Sequence, residues 1–153
     1  MAGERIVLYV DDDQDDLLFL KDALNSIDPS IQIMEATDGL EALKLLNGLK
    51  ADKKTLPCLN ILDLNMPRMD GKECLKAIKQ DPTFSHVPVI MYTTSSQSRD
   101  IEETMMLGAV CFITKPSSVS DLRNIIATIT STPANDLTKT LRRLSNTSAY
   151  IIC

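Results

Sequence analysis

The feature that most constrains the fold of this chain is a regular alternation of short apolar runs and amphipathic segments. Largely apolar runs occupy residues 6–10, 31–34, 59–62, 87–92 and 110–113. Such runs are typical of parallel strands that are covered on both faces. Each precedes a segment in which apolar residues recur at helical spacing, which predicts an amphipathic helix. The alternation therefore predicts an α/β fold with about five parallel strands between two layers of helices.

The length of 153 residues predicts one domain, because a chain of this size buries roughly 68–70% of its unfolded surface. We assign residues 1–132 to this domain and residues 133–153 to a C-terminal extension. Thr132 and Pro133 predict a helix start there, as cap and first-turn residue. Leucines 137, 141 and 144 share one face of that helix. The apolar residues 149–153 are expected to pack on their own chain or on another subunit.

Charge and hydropathy exclude several classes of function. The formal net charge is −5, which argues weakly against a nucleic-acid-binding face. No apolar run approaches the ~20 residues of a membrane span, and the N-terminus lacks a signal-peptide cleavage region. The prediction is a cytoplasmic protein that binds neither nucleic acid nor membrane.

The four cysteines are predicted to be reduced thiols. They are Cys58, Cys74, Cys111 and Cys153. No two form a C-x-x-C pair, and the single histidine cannot complete a zinc site. Three lie in or beside apolar segments, where a free cysteine behaves as a small buried hydrophobe. This interpretation favours a reducing compartment.

Polar side chains follow four of the predicted strands, at the edge where open α/β sheets form their sites. In chain order they are Asp11, Asp12, Asp63, Thr93, Thr94 and Lys115. Clustered carboxylates repel one another unless a cation lies among them. Oxygen ligands without histidine or cysteine favour Mg²⁺, with Ca²⁺ or Mn²⁺ as substitutes. A carboxylate beside Mg²⁺, lysine and a hydroxyl is also what an aspartyl-phosphate site needs.

Four motifs in this order resemble those of the receiver domain of two-component response regulators. They are VDDD at 10–13, LDLNMPRMDG at 62–71, MYTTS at 91–95 and FITKP at 112–116. The resemblance covers about residues 4–132 and is to the stand-alone, single-domain form. It implies a flavodoxin-like three-layer sandwich with the strand order 2-1-3-4-5.

The resemblance implies a role for each of the carboxylates. Asp63 is the phosphoacceptor, and Asp11 and Asp12 hold Mg²⁺ together with Asp63. Asn65 offers its backbone carbonyl to the metal. Because three aspartates run together, the acidic pair is either Asp11 and Asp12 or Asp12 and Asp13. We prefer the first, because the family's pair directly follows the last residue of the strand.

The resemblance also implies a switch. Thr93 is the switch hydroxyl, Lys115 is the phosphate-binding lysine, and Phe112 occupies the aromatic switch position. The peptide bond between Lys115 and Pro116 is expected to be cis, a conformation almost confined to proline. Phosphorylation then changes the partner preference of a face within residues 98–132.

Neighbouring polar residues receive structural interpretations. Asp13, Asp15 and Asp16 are expected to be charges at a helix start, where the macrodipole favours them. Tyr9 and Tyr92 are expected to be packed strand residues.

The predicted function is that of a phosphoacceptor signalling protein in a two-component system or phosphorelay. A histidine kinase or a phosphohistidine relay protein would donate the phosphoryl group to Asp63. The chain would promote its own phosphorylation and dephosphorylation but would not be an enzyme with a separate substrate. The downstream partner is not predicted, and homodimerisation through residues 98–132 or through the tail stays open.

Three other functions are alternatives to this one. A receiver-fold adaptor would bind proteins without phosphorylation, but the five key positions are intact. A small aspartyl-phosphate phosphohydrolase would carry a second aspartate two residues after Asp63, where this chain has Asn65. A flavodoxin-like electron carrier would need a phosphate-binding loop after the first strand, where carboxylates would repel a flavin phosphate.

Overall fold

The computed structural model describes residues 5–153, except the side chain of Ala134, so the first four residues of the predicted domain lie outside the described residues. The strands are β1 (Ile6–Val10), β2 (Gln32–Ala36), β3 (Leu59–Leu62), β4 (Val89–Thr93), β5 (Cys111–Thr114) and β6 (Ile151–Ile152). The helices are α1 (Gln14–Ile27), α2 (Gly39–Ala51), α3 (Gly71–Gln80), α4 (Ser98–Met106), α5 (Val119–Ser131) and α6 (Leu137–Ser145), with a 3₁₀ turn at Ala134–Asp136. None of the described helices has both the length and the apolar character needed to cross a membrane.

Within residues 5–153 the sheet has six strands, in the order 2-1-3-4-5-6. β1 to β5 are parallel, and β6 pairs antiparallel with β5. The predicted α/β fold and the 2-1-3-4-5 order are therefore confirmed. The sequence analysis predicted about five strands and did not predict the antiparallel sixth.

The core consists of two apolar layers, one on each face of the sheet. Successive strand residues point to opposite faces, so Val7 and Tyr9 pack in one layer and Leu8 and Val10 in the other. Side chains of α1, α5 and α6 complete the first layer, and those of α2, α3 and α4 complete the second. Because helices cover both faces, β1 is buried at every position.

Three aspartates cap the starts of helices. Asp13, Asp38 and Asp70 precede α1, α2 and α3, and each side chain accepts backbone N–H groups of the first turn. Such caps satisfy donors that have no partner within the helix. Asp70 and Glu73 form a full capping box.

Gly71 lets the first turn of α3 approach the end of β3 closely. Its N–H donates to Leu64 O at 2.8 Å. A Cβ on this residue would lie 2.0 Å from the backbone oxygen of Asp63. Glycine is therefore required here by contact with the backbone rather than by its φ angle, and it fixes α3 against the site residue Asp63.

The C-terminal extension differs from the prediction at its start. Thr132 ends α5 instead of capping the next helix, because its N–H donates to Ile129 O at 3.4 Å. Pro133 leads into the 3₁₀ turn, and α6 begins only at Leu137. The apolar end of the chain packs on its own domain, because β6 pairs with β5. Packing on the same chain was one of the two predicted possibilities.

The prediction that all four cysteines are reduced is wrong. Cys111 and Cys153 form a disulfide, while Cys58 and Cys74 are free thiols. The antiparallel pairing of β6 with β5 brings the Cα atoms of the two bonded cysteines to 4.2 Å, although 42 positions separate them in the sequence. Because two of the four cysteines are bonded, cysteine usage does not indicate a reducing compartment.

The prediction of a cis peptide bond before Pro116 is also wrong. No cis peptide bond occurs among residues 5–153, so the bond between Lys115 and Pro116 is trans. The trans form is favoured before proline by about 0.5–1 kcal/mol. The Lys115 N–H donates to Thr93 O at 2.7 Å, which ties the end of β5 to β4.

Candidate functional site

Three carboxylates meet at the carboxyl edge of the sheet. Asp11 directly follows β1, Asp12 is next, and Asp63 directly follows β3. β1 and β3 are neighbouring parallel strands, so residues that follow them lie side by side. One carboxylate oxygen from each aspartate lies within 4.8 Å of the others. Asp13 instead points its carboxylate at the amides of the first turn of α1.

These three residues fit a hard divalent cation. Asp11 and Asp63 are buried, and Asp12 is exposed. The group offers only carboxylate oxygens, the ligands that Mg²⁺ and similar ions prefer. The exposed Asp12 leaves the position open to solvent on one side, so water or a phosphoryl oxygen has access to it. Asn65 lies in the exposed loop that follows Asp63.

Lys115 brings a positive charge into this group from the end of β5. Its Nζ lies 2.7 Å from Asp11 Oδ2, 2.6 Å from Asp16 Oδ2 and 3.6 Å from Asp63 Oδ2. Burial favours the neutral amine, but hydrogen bonds to Asp11 and Asp16 outweigh it and raise the pKa of Lys115 above its usual value. The lysine is therefore charged at neutral pH.

The Asp63 carboxyl has an unusual protonation equilibrium. Burial and the negative charge of Asp11 raise its pKa to about 6. The charge of Lys115 and hydrogen bonds from Thr93 and the Leu64 N–H partly offset this rise; the Leu64 N–H donates to Asp63 Oδ1 at 2.8 Å. A bound cation would favour the ionised form further, because opposite charge stabilises a carboxylate.

The two predicted switch residues lie in different surroundings. Thr93 ends β4 at the acidic edge and is fully buried. Its hydroxyl accepts the Ser95 N–H at 3.4 Å, and the Ser95 hydroxyl donates to Asp100 in α4 at 2.7 Å. Phe112 is fully buried in the apolar layer on the α4 side of the sheet.

Sequence reasoning missed two residues that contact the acidic group. The Tyr9 hydroxyl donates to Asp11 Oδ2 at 2.6 Å, and burial with the nearby Asp11 charge raises the pKa of Tyr9. A signal existed, because residues two apart on a strand share a face. Asp16, interpreted only as a helix-start charge, pairs with Lys115. No sequence signal showed that the first turn of α1 lies beside Lys115.

A cleft of about 550 Å³ opens beside the site, between α1 and the segment that joins β5 to α5. Lys115 and Asp16 line its inner end. Phe19 and Val119 line it as well, and these apolar side chains are 55% and 65% exposed. The cleft therefore places exposed apolar side chains next to the charged residues of the site.

The family model of the response regulator receiver domain matches residues 7–127. The chain belongs to the response regulator receiver family. Response regulator Rcp1 of Synechocystis sp. is 30% identical over 128 residues, which cover 83% of this chain and 87% of that protein. A protein-glutamate methylesterase/protein-glutamine glutaminase of Methanococcoides burtonii is 34% identical, but the chain covers only 37% of its length.

Solved receiver structures share this fold. The phosphorylated cyanobacterial phytochrome response regulator RcpA has a TM-score of 0.75 at 32% identity, over 82% of this chain and 90% of that one. The Mn²⁺-bound form of Rcp1 has a TM-score of 0.70 at 30% identity, over 83% and 92%. The family match over residues 7–127 includes the acidic edge, and the Rcp1 structure carries Mn²⁺.

Proposed function

We propose that this receiver is a phosphoacceptor signalling protein that takes a phosphoryl group on Asp63 in a Mg²⁺-dependent step. One observation carries the proposal: the buried Asp63 carboxylate belongs to a group of three carboxylates that could hold a cation, and the ammonium of Lys115 lies 3.6 Å from its Oδ2. Such an arrangement neutralises charge on a phosphoryl group from two sides, which is what phosphoryl transfer requires.

In this mechanism an Asp63 oxygen attacks phosphorus, and the bond between phosphorus and the donor nitrogen breaks. Asp11, Asp12 and Asp63 would hold Mg²⁺, with the Asn65 carbonyl as a further ligand. When bound, Mg²⁺ neutralises negative charge on the transferring group. Lys115 keeps its proton and binds a phosphoryl oxygen electrostatically. To reach that oxygen, its ammonium must weaken its ion pair with Asp11.

The donor is a histidine kinase or a phosphohistidine relay protein. The cleft between α1 and the start of α5 supports this assignment, because it leads to Lys115 and exposes Phe19 and Val119. An apolar helical surface of the donor would cover these two side chains and bring its phosphohistidine to Asp63.

The response to phosphorylation begins at Thr93 and Phe112. The new group carries about −1.5 to −2 charges, and it attracts the Thr93 hydroxyl. That hydroxyl accepts the Ser95 N–H, and Ser95 binds Asp100 at the start of α4. A shift of Thr93 therefore alters the hydrogen bonds that fix the start of α4. The partly buried apolar side chains of α4 pack in the same apolar layer as Phe112. The face formed by α4, β5 and α5 changes its partner preference.

The remaining assignments follow from this function. Residues 1–132 form the receiver domain, and residues 133–153 form an extension that packs on it. The chain acts as a regulator rather than as an enzyme with its own substrate, and it works in the cytoplasm with its phosphodonor.

The experiment is phosphorylation by acetyl phosphate, followed by intact-mass spectrometry. Wild-type protein should gain one phosphoryl group in Mg²⁺ and none in EDTA. Asp63→Asn should gain none. The matched control is Asp52→Asn, which changes an exposed aspartate at the end of α2 and should label like wild type. Equal labelling of Asp63→Asn and wild type would overturn the proposal.

A further inference from the structure

The end of the C-terminal extension covers the free edge of β5. Ile151 and Ile152 pair antiparallel with Ile113 and Phe112. The Thr114 N–H donates to the Tyr150 carbonyl oxygen at 2.9 Å. Backbone groups that would otherwise be exposed on an edge strand are thereby occupied within the same chain.

In this last segment, residues 147–153, only Ile151 is fully buried, while Tyr150 and Cys153 are partly buried against the same apolar layer. Ile151 is 2% exposed, but Ile152 is 46% exposed. A cavity of about 250 Å³ separates part of the segment from α5; Ile125, Thr128, Leu144 and Tyr150 are among the residues that line it. The Tyr150 hydroxyl donates to Asp121 at 3.1 Å.

The preceding helix is held differently. α6 buries Leu137 and Leu141 in the apolar layer that also contains side chains of α5. These two buried side chains hold α6 on the domain through their contacts in that layer. Residues 147–153 depend more on the covalent bond between Cys153 and Cys111 at the start of β5.

We propose that Cys111 and Cys153 form a redox-responsive clasp whose disulfide holds residues 147–153 on the β5 edge. Reduction opens the clasp, frees this segment and exposes the backbone edge beside Phe112. The chemistry of the clasp does not require a phosphoryl group on Asp63, and the clasp lies at the β5 edge of the α4–β5–α5 face. Support for a reversible role rests on the proposed function, which places the chain in the cytoplasm: disulfides of cytosolic proteins are usually catalytic or redox-sensing rather than permanent.

The opening step is a thiol–disulfide exchange with a dithiol reductant. A thiolate of the reductant attacks Sγ of Cys153, the less buried of the two cysteines. The sulfur–sulfur bond breaks, and Cys111 leaves as a thiolate that takes up a proton. The second thiol of the reductant then attacks the mixed disulfide and releases Cys153 as a thiol. Two electrons pass to the protein disulfide, and the dithiol becomes a disulfide. Exchange with a small disulfide oxidant reverses the reaction.

The test is hydrogen–deuterium exchange on the full chain, oxidised with glutathione disulfide or reduced with dithiothreitol. Thiol alkylation and mass spectrometry report the state of each cysteine. Reduction should accelerate exchange about ten-fold or more in peptides that cover 111–114 and 147–153. The peptide that covers α6 should change little, because Leu137 and Leu141 keep their contacts.

Two variants make the test specific. Cys153→Ser should show fast exchange with and without reductant, and it leaves the buried Cys111 in place. Cys58→Ser changes a free cysteine and should respond to reduction like wild type. The proposal is overturned if the oxidised chain leaves both Cys111 and Cys153 open to alkylation, or if the bond forms between two chains. It is equally overturned if residues 147–153 exchange at the same rate in both states.

Discussion

The ammonium of Lys115 lies 2.7 Å from Asp11 Oδ2 but 3.6 Å from Asp63 Oδ2. It is also held by Asp16 at 2.6 Å. In this state the lysine neutralises the charge of Asp11 more than that of Asp63, the proposed phosphoacceptor. A cation bound by Asp11, Asp12 and Asp63 would compete with Lys115 for Asp11 and free it to bind a phosphoryl oxygen.

Lys115→Met should therefore separate metal binding from phosphorylation. Without the ammonium the acidic group is more negative, so affinity for Mg²⁺ should rise roughly three- to ten-fold by isothermal titration calorimetry. The rate of phosphorylation by acetyl phosphate should fall about ten-fold or more, because one source of charge neutralisation is lost. Lys139→Met, an exposed change in α6, is the control. Weaker Mg²⁺ binding in Lys115→Met would contradict the competition between lysine and metal.

The raised pKa of Asp63 predicts a pH dependence of stability in the absence of metal. The folded protein holds this proton up to about pH 6, whereas an unfolded aspartate releases it near pH 3.9. Between these values the folded state binds more protons, so the contribution of Asp63 to the free energy of unfolding falls as pH rises. Asp63→Asn should be more stable than wild type by about 2–3 kcal/mol at pH 7.5.

Urea denaturation in EDTA at pH 4 and pH 7.5 measures this effect. The advantage of Asp63→Asn should shrink toward zero at pH 4, where wild-type Asp63 is protonated in the folded state. An advantage of equal size at both pH values would show that it does not come from the ionisation of Asp63.

Tyr9→Phe tests the contact that sequence reasoning missed. It removes the hydroxyl that donates to the buried Asp11 carboxylate at 2.6 Å. Because the acceptor is charged and buried, the free energy of unfolding should fall by about 1.5–3 kcal/mol. Tyr92→Phe changes the neighbouring ring, whose centroid is 5.9 Å away, and should cost less. Chemical denaturation at pH 7.5 compares the two, and a larger loss in Tyr92→Phe would refute the role of Tyr9.

Gly71→Ala and Gly48→Ala should shift stability in opposite directions. A Cβ at position 71 would lie 2.0 Å from Asp63 O, whereas one at position 48 meets nothing within 4 Å. The first change should destabilise the fold by about 1–3 kcal/mol or more and slow phosphorylation by displacing Asp63. The second should stabilise α2 by roughly 0.5–1 kcal/mol. Thermal unfolding of both variants checks the signs, and a neutral Gly71→Ala would contradict the close contact of α3 with β3.

The acidic edge could be predicted because its residues directly follow strands. β1 was predicted with the bounds that the structure shows, since all five of its residues are apolar and buried. Neighbouring parallel strands end at the same edge, so the meeting of Asp11 and Asp63 followed from the alternation of strands and helices. The place of Lys115 followed in the same way from the end of β5.

Contacts that depend on distant segments were not predictable in this way. β6 has only two residues, too few to produce a strand pattern, and its pairing with β5 decides that Cys111 meets Cys153. The contact between Asp16 and Lys115 depends on how α1 packs against the end of β5. The start of α6 was misplaced because Thr132 closes the preceding helix instead of opening a new one.

The most direct test of the central claim is chemical mapping of the phosphorylated residue. Wild-type protein is treated with acetyl phosphate and Mg²⁺ and then with sodium borohydride, which reduces an acyl phosphate to an alcohol. Peptide mass spectrometry locates the reduced side chain. The account predicts reduction of Asp63 alone, and only when Mg²⁺ is present. Reduction at another aspartate, or Mg²⁺-dependent phosphorylation on a hydroxyl or histidine side chain, would contradict it.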